Sequence, residues 1–170
     1  MLTLIIGGAG SGKSAFAESL SCSLGGPGLY LATMMLQDEE SRQRALRHRR
    51  QRATLDFFTV EQPYGLEDAD IPEGANVLLE DLPNLLANEM YHPGGGGLKA
   101  VRRGLDSLLR RSENLTVVSG DLFSGGADYT EETLRFLRDL AKLNRELAGS
   151  ADLVVEVICG LPNVLKGELP

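Results

Sequence analysis

The sequence has little cysteine, few aromatic residues and no long apolar run. Its 170 residues include only Cys22 and Cys159 as cysteines, and aromatic residues make up 5% of the chain. Two cysteines fit a reducing compartment, and we interpret both as small hydrophobes in or near the core rather than as a disulfide or metal pair. No apolar run reaches the roughly 18 residues of a transmembrane helix. The length and composition predict a single globular domain over residues 1–170.

The chain also lacks a surplus of positive charge. Its formal net charge is −7, which argues against general nucleic-acid binding. Residues 42–52 are the exception, because they carry six arginines and no acid, and a basic island on an acidic protein suggests a local anionic ligand. The N-terminus has no positively charged start of the kind that a signal peptide needs, so we expect a cytoplasmic protein.

The most informative motif present is the run GGAGSGKS over residues 7–14, which follows an apolar run at residues 2–6. It matches the phosphate-binding loop pattern, with a strand before it and a helix after it. The glycines allow backbone N–H groups to point at phosphate oxygens, and the following helix adds its positive end. Lys13 is expected to reach the terminal phosphates, and the Ser14 hydroxyl is expected to ligate Mg²⁺.

Apolar strand-like runs alternate with helical stretches along the rest of the chain. The predicted strands are Leu2–Ile6, Gly28–Ala32, Asp56–Val60, Ala75–Glu80, Leu115–Ser119 and Leu153–Cys159. The predicted helices are Lys13–Leu24, Asp38–Arg52, Leu82–Tyr91, Leu98–Ser112 and Thr130–Ala148, the last with Leu134, Leu137, Ala141 and Ala148 on one face. Several strands are apolar nearly throughout, as strands buried on both faces are. The pattern predicts an α/β fold with a mostly parallel sheet.

Two acidic residues, Glu80 and Asp81, end the fourth predicted strand. An acid at the tip of an apolar strand beside a phosphate loop can hold Mg²⁺ directly or through water. We assign Ser14 and Asp81 as the metal ligands, although the pattern does not decide between Glu80 and Asp81. Asp81 also suits the N-cap of the helix that begins at Leu82, since a proline follows in the first turn.

His48 lies within the arginine-rich segment, with Arg44 and Arg52 four residues away on either side. Positive neighbours disfavour a charged imidazole, and a neutral imidazole can attack phosphorus through its free lone pair. The arginines could neutralise the phosphates under attack. A solvated basic helix is the simpler interpretation of the same residues.

The order of these features resembles one enzyme family, the bifunctional adenosylcobinamide kinase / adenosylcobinamide-phosphate guanylyltransferase of cobalamin assembly. The phosphate loop, the segment Tyr30–Thr33 and the arginine-rich helix with His48 match its pattern in order. The matching continues with Arg138–Ala141 and Asn144, then Ala151–Leu153, Gly160–Pro162 and Leu165–Lys166. The resemblance therefore spans almost the whole chain.

The resemblance implies two reactions: a nucleoside triphosphate phosphorylates adenosylcobinamide, and GTP then guanylylates the product. It implies a GMP–histidine intermediate on His48, with Lys13 as the second catalytic residue and Mg²⁺ as cofactor. It also implies a three-layer P-loop NTPase-like (RecA-like) fold and a homotrimer. The GTP-binding residues are expected to be Gly7, Gly8, Ala9, Gly10, Ser11, Gly12, Lys13, Ser14, Ala32, Thr33, Met34, Arg49, Arg50, Gln51, Arg52, Glu61 and Glu80.

The chain departs from the family pattern after its fifth predicted strand. Where the family has Asn-Glu-Val-Gly, this chain has Gly120-Asp121-Leu122-Phe123. Asp121 is the candidate to replace the glutamate, and the departure bears on the kinase reaction and on corrinoid binding. The family's arginine within the phosphate loop is Gly10 here, which matters less because backbone groups cradle the phosphates.

Three other functions fit parts of the pattern. Another small-molecule P-loop kinase would use the phosphate loop and the acid but not His48. A non-catalytic nucleotide-binding protein would bind nucleotide without forming a labelled enzyme. An RNA-binding module on the arginine helix is disfavoured by the acidic remainder and the few aromatic residues.

Overall fold

A seven-stranded sheet forms the centre of the protein, seen here in a computed structural model that describes residues 1–35, 39, 42–43, 46, 57–123 and 128–170. The strands are β1 Leu2–Ile6, β2 Gly28–Ala32, β3 Phe57–Glu61, β4 Asn76–Glu80, β5 Asn114–Val118, β6 Leu153–Ile158 and β7 Leu161–Lys166. Their order across the sheet is β3-β2-β4-β5-β1-β6-β7. Every pairing is parallel except that of β6 with β7, which is antiparallel.

Four helices flank the sheet in the described part of the chain. They are α1 Lys13–Ser23, α2 Leu82–Tyr91, α3 Gly97–Arg111 and α4 Glu131–Ser150, and a short 3₁₀ helix spans Leu66–Asp68. Eleven of the fifteen residues of the predicted helix Asp38–Arg52 lie outside the described residues, and the other four, Glu39, Arg42, Gln43 and Leu46, are helical. None of the helices in the described ranges combines the length and the apolar character needed to cross a membrane.

Two hydrophobic clusters cover the two faces of the sheet. Successive side chains of a strand point to opposite faces, and Leu78 accordingly joins one cluster while Val77 and Leu79 join the other. The smaller cluster packs against Ala17 and Leu20 of α1. The larger cluster includes buried side chains of α2, α3 and α4. The predicted three-layer α/β architecture with a mostly parallel sheet is confirmed, and β5 separates the phosphate-loop strand β1 from the acid-bearing strand β4.

The strand β7 was not predicted, and the third strand was predicted one residue too early. The β7 residues are all exposed, and Pro162 lies among them, so neither hydrophobic alternation nor a clean β pattern marks the segment. Proline is tolerated there because β7 is an edge strand. The third strand runs Phe57–Glu61 rather than Asp56–Val60, and Asp56 lies outside the described residues.

The prediction that both cysteines lie in or near the core was wrong. Cys22 and Cys159 are both exposed, because Cys22 lies on the outer face of α1 and Cys159 lies in the β6–β7 turn. The buried face of α4 consists of Leu140, Leu143 and Leu147, which differs from the face that Leu134, Leu137, Ala141 and Ala148 were predicted to share. Leucine is frequent on this helix, so its sequence offers more than one apolar face with the spacing of a helix.

Candidate functional site

The site lies at the edge of the sheet where the parallel strands end. In open α/β sheets, ligands bind in the crevice outside the carboxyl ends of the strands. The loop between β1 and α1 begins at this edge with Gly7. The strands β2 and β4 deliver Thr33 and Glu80 to the same edge.

The phosphate loop has the backbone geometry that its glycines predict. Gly10 and Gly12 have φ angles of 70° and 90°, in the left-handed region that favours glycine. Gly12 is also the N-cap of α1 and supplies no side-chain cap. The first N–H groups of α1 therefore point out of the helix without a capping side chain, in the arrangement that binds phosphate.

The turn between β6 and β7 packs against the phosphate loop. The backbone N–H of Gly160 donates to the carbonyl oxygen of Ser11 at 2.7 Å. A Cβ atom placed on Gly12 would lie 3.2 Å from Gly160 Cα. A Cβ atom on Gly7 would lie 2.7 Å from the carbonyl oxygen of Val157. The loop is held so closely that Gly7 and Gly12 leave no room for side chains.

Lys13 lies over the phosphate loop. Its Nζ donates to the carbonyl oxygen of Gly8 at 3.2 Å and is at an exposed position. A lysine held there is free to exchange this carbonyl for phosphate oxygens when a nucleotide binds.

Ser14 and Glu80 meet directly beneath the loop. The Ser14 hydroxyl donates to Glu80 Oε1 at 2.6 Å. Glu80 Oε2 is buried and has no hydrogen-bond partner among the described residues. A buried carboxylate oxygen without a partner is costly, and a divalent cation would satisfy it. Mg²⁺ typically binds one or two carboxylates or hydroxyls and fills its remaining positions with water and phosphate oxygens, so this pair fits such an ion.

The electrostatics of Glu80 follow from its surroundings. Burial, and secondly the neighbouring charge of Asp81, raise the pKa of the Glu80 carboxyl to about 7. The hydrogen bond from Ser14 and the charge of Lys13 oppose this rise, and Glu18 adds to it. Such a carboxyl is poised to lose its proton when a cation arrives.

Asp81 has a different local role from Glu80. Its Oδ1 accepts a hydrogen bond from the backbone N–H of Asn84 at 2.9 Å, so Asp81 is the N-cap of α2, as its position before Leu82 and Pro83 predicts. The peptide bond between Glu80 and Asp81 is cis. The hydrogen bond with Ser14 is made by Glu80, whereas Asp81 caps α2. No group of three or more histidine, cysteine or carboxylate side chains arranged for a metal occurs in the described ranges.

Three of the predicted GTP contacts lie side by side. In the sheet register, Ala32 pairs with Glu61 of β3 on one side and with Glu80 of β4 on the other. Thr33, directly after Ala32, is fully buried. Its Oγ1 accepts from the backbone N–H of Asp81 at 2.8 Å, so the end of β2 is joined to the start of α2.

The remaining predicted residues divide into two groups. Met34 follows Thr33 at this edge of the sheet. The proposed nucleophile and its neighbours lie outside the described residues: His48, Arg49, Arg50, Gln51 and Arg52. The structure therefore brings together the phosphate-loop and strand-end parts of the predicted site.

Asp121 lies beside the phosphate loop. Its backbone N–H donates to the carbonyl oxygen of Gly7 at 3.2 Å, and its Oδ1 accepts from the backbone N–H of Phe123 at 3.3 Å. Asn144 of α4 supports the same segment, because its Oδ1 accepts from Ser119 Oγ at 2.7 Å. The divergent segment after β5 is thus part of the site edge, although residues 124–127 lie outside the described residues.

Sequence reasoning assigned no role to Asn88, Asn144 or Gly160. Asn144 and Gly160 belong to motifs that match the family pattern, but a sequence motif does not show which atoms its residues contact. Asn88 gives a weak signal of its own, because asparagine is a poor residue for a helix interior.

Similarity to known proteins decides the family. The model of the cobinamide kinase / cobinamide phosphate guanyltransferase family matches residues 3–165. The chain belongs to this family. It is 30% identical over 172 residues to the bifunctional adenosylcobalamin biosynthesis protein CobP of Pseudomonas aeruginosa, and the match covers 99% of both chains. The resemblance found in the sequence is therefore confirmed.

Two further proteins are similar to this chain, one in sequence and one in structure. The bifunctional adenosylcobalamin biosynthesis protein CobU of Escherichia coli is 29% identical over 185 residues, which covers 98% of this chain and 100% of that protein. The solved structure of the bacteriophage phi6 P4 protein in complex with ADP is similar with a TM-score of 0.39 and 13% identity, over 95% of this chain and 53% of that one. A likeness that low bears on neither fold nor function.

Proposed function

We propose that this chain carries out both reactions of its family. In the first, the γ-phosphoryl group of ATP or GTP is transferred to the aminopropanol hydroxyl of adenosylcobinamide. In the second, GMP is transferred from GTP to the phosphate so formed, which gives adenosylcobinamide-GDP and pyrophosphate. The observation that carries the proposal is the Ser14–Glu80 contact beneath an intact phosphate loop, in a chain that matches the family model over residues 3–165.

The phosphate loop is the proposed cradle of the triphosphate in both steps. Its backbone N–H groups and Lys13 neutralise the phosphate oxygens as charge develops on them. Ser14 and Glu80 would hold Mg²⁺, with Asp81 close enough to act through water. When bound, the ion supplies charge neutralisation and orients the phosphates.

His48 is the proposed nucleophile of the second reaction. A ring nitrogen attacks the α-phosphorus of GTP, a P–N bond forms, and the bond to the pyrophosphate oxygen breaks. A phosphate oxygen of adenosylcobinamide phosphate then attacks the same phosphorus and displaces the imidazole. Arg49, Arg50, Gln51 and Arg52 are proposed to contact the nucleotide during these steps. The six arginines of residues 42–52 supply the positive charge that stabilises the transferring phosphoryl group.

The strand ends are proposed to position the rest of the nucleotide. Ala32, Thr33 and Met34 follow β2, and Glu61 ends the neighbouring strand in register with Ala32. Ala32 is in register with Glu80, whose carboxyl contacts Ser14 at the start of α1. These positions and the phosphate loop therefore lie along one edge of the sheet, which one nucleotide can span.

Asp121 is the proposed replacement for the glutamate of the family pattern. Its backbone contact with Gly7 places it beside the loop that would hold the γ-phosphate. A carboxylate at this location can accept the proton of the attacking hydroxyl. The kinase reaction is therefore supported despite the divergent segment.

Incubation with α-³²P-GTP and Mg²⁺ tests the covalent step. We expect an acid-labile, alkali-stable label on the wild-type chain under denaturing conditions. The His48→Ala variant should carry no label. His92→Ala is the matched control, since His92 is the other histidine of the chain and stacks on Tyr64 outside the phosphate loop. Absence of label on wild-type protein that still binds GTP would refute the histidine mechanism.

The homotrimer and the cytoplasmic location are part of the same proposal. Both come from the family resemblance. Light scattering should give a mass about three times the 18.3 kDa of one chain, and a monomeric mass would contradict the trimer.

A further inference from the structure

Asn88 of α2 connects two strand ends through one side chain. Its Nδ2 donates to the carbonyl oxygen of Thr33 at 2.7 Å and to that of Pro63 at 2.9 Å. Thr33 directly follows β2, and Pro63 follows β3 by two residues. Both hydrogens of the carboxamide are therefore used, one on each loop.

A backbone hydrogen bond at the end of the β2–β3 pairing also joins the two loops. The backbone N–H of Gln62 donates to the carbonyl oxygen of Ala32 at 2.8 Å, which is the last rung between them. Beyond that hydrogen bond, the Asn88 side chain joins the two loops from α2, outside the sheet. The position of Glu61 relative to Thr33 thus depends on the Asn88 carboxamide as well as on the strand ladder.

The hydrogen bond between Asn88 and Thr33 also connects α2 to the segment that carries the proposed metal ligand Glu80. Thr33 is joined to the Glu80–Asp81 segment, because its backbone N–H donates to the carbonyl oxygen of Glu80 at 3.0 Å and its Oγ1 accepts from the N–H of Asp81. Asp81 in turn caps α2, the helix that carries Asn88. The Asn88 side chain therefore completes a connected set of contacts that joins the ends of β2, β3 and β4.

The neighbouring residue, Glu89, supports the outer part of the same region. Its carboxylate is buried and accepts from the backbone N–H groups of Gly65 at 2.8 Å and Gly96 at 2.7 Å. These contacts lie farther along the loops, so Glu89 braces the segment after Pro63 while Asn88 fixes its beginning. Asparagine is unfavourable in a helix interior, and this location gives it a role that alanine could not fill.

We propose that Asn88 is a positioning residue for the nucleotide, which sets the separation between the β2 end and the β3 end that bind GTP. This inference rests on the proposed function, because it takes Thr33 and Glu61 as nucleotide contacts. Asn88 acts through these residues and touches neither the phosphates nor the metal pair in the described contacts.

The test compares three variants in nucleotide binding and in catalysis. Asn88→Ala removes the carboxamide, and Asn88→Leu keeps a similar volume but removes both N–H donors without adding a charge. Asn114→Ala is the matched control, because Asn114 Nδ2 makes a comparable bond of 2.6 Å to Asn76 Oδ1 at the opposite end of the strands. The Kd of α,β-methylene-GTP, which cannot transfer GMP, is measured along with the KM and kcat of guanylylation and the midpoint of thermal unfolding.

We expect both Asn88 variants to weaken binding about tenfold, which is the effect of losing one net hydrogen-bond contribution to nucleotide positioning. KM for GTP should rise by a similar factor, and kcat should change less than twofold. Asn114→Ala should lower the unfolding midpoint comparably and leave Kd unchanged.

Several outcomes would overturn the inference. Unchanged Kd in both Asn88 variants would do so, as would an equal loss in Asn114→Ala, since the effect would then be general destabilisation. If Asn88→Ala does not fold, the Asn88→Leu variant, which fills a similar volume without a charge, carries the same test. Failure of the proposed function would be seen separately, as wild-type protein that binds the analogue but transfers no GMP, and the Kd comparison would still decide the role of Asn88.

Discussion

One buried carboxyl group, that of Glu80, links the stability of the apo protein to its capacity to bind a cation. Its Oε1 accepts from Ser14, while Oε2 is buried without a described partner. Burial raises the pKa of this carboxyl to about 7. The residue therefore carries a proton over much of the acidic range in the absence of metal.

This shift predicts that the metal-free protein becomes less stable as the pH rises from about 4.5 to about 7. Over that window the folded state holds a proton that the unfolded state has lost, so the free energy of unfolding falls with pH. Glu80→Gln removes the titration, and we expect it to stabilise the chain by about 1–3 kcal/mol at pH 8 but not at pH 4. Urea unfolding in EDTA at several pH values measures the difference.

Glu168→Gln is the control for this prediction, because Glu168 is exposed near the C-terminus. Because the side chain is exposed, this substitution should change the free energy of unfolding little. A Glu80→Gln effect of equal size at pH 5 and pH 8 would show that the carboxyl does not titrate as described.

Single residues of the site were predictable from the sequence where a motif fixes their backbone context. Gly12, Lys13 and Ser14 lie where the phosphate-loop pattern places them, because the left-handed glycine and the helix start follow from local chemistry. The choice between Glu80 and Asp81 was not predictable, since both end one strand. Which of them meets Ser14 depends on the backbone path from β4 into α2.

At the level of secondary-structure elements, α3 packs unusually closely on the short 3₁₀ helix. A Cβ atom placed on Gly104 of α3 would lie 2.6 Å from Cβ of Leu66. Leu66 is 1% exposed, so its Cβ atom has no room to move away from α3. The glycine is thus required by the neighbouring element rather than by the helix itself.

Gly104→Ala is expected to destabilise the protein although alanine is the better helix former. The propensity gain is about 1 kcal/mol, whereas overpacking a buried contact costs about 1–3 kcal/mol, so we expect a net loss of up to about 2 kcal/mol. Chemical denaturation measures it. Gly149→Ala in α4 is the matched control, because a Cβ atom there meets nothing within 4 Å, and it should stabilise by about 0.5–1 kcal/mol. A stabilised Gly104→Ala variant would contradict the packing argument.

The bounds of the buried strands were predictable to within one residue, since β4 begins at Asn76 rather than Ala75 and β5 runs Asn114–Val118 rather than Leu115–Ser119. The apolar runs of β1 and β2 match their predicted bounds because both faces of these strands are covered. The exposed β7 was missed for the opposite reason. The buried face of α4 could not be deduced from spacing, because the helix has leucines on several sides, and packing against the sheet selects Leu140, Leu143 and Leu147.

At the scale of the whole molecule, the parallel sheet is what assembles the site from distant parts of the chain. Residues from the ends of β1, β2, β3 and β4 meet at one edge because parallel strands share a direction. The order of strands across the sheet was not predictable from the sequence, since each crossover could place the next strand on either side. Nucleotide binding should accordingly be linked to the stability of the entire fold.

Thermal unfolding with and without GTP and Mg²⁺ tests this linkage. A ligand at 100 times its Kd adds about 2.7 kcal/mol to the folded state, which corresponds to a rise in Tm of about 5–10 °C for a chain of this size. Lys13→Ala should abolish the rise while changing the apo Tm little, because the hydrogen bond from Lys13 to Gly8 lies at an exposed position. Lys142→Ala, an exposed substitution on α4, should retain the full shift. A Lys13→Ala variant that is stabilised as strongly as wild type would show that the phosphates bind somewhere other than this loop.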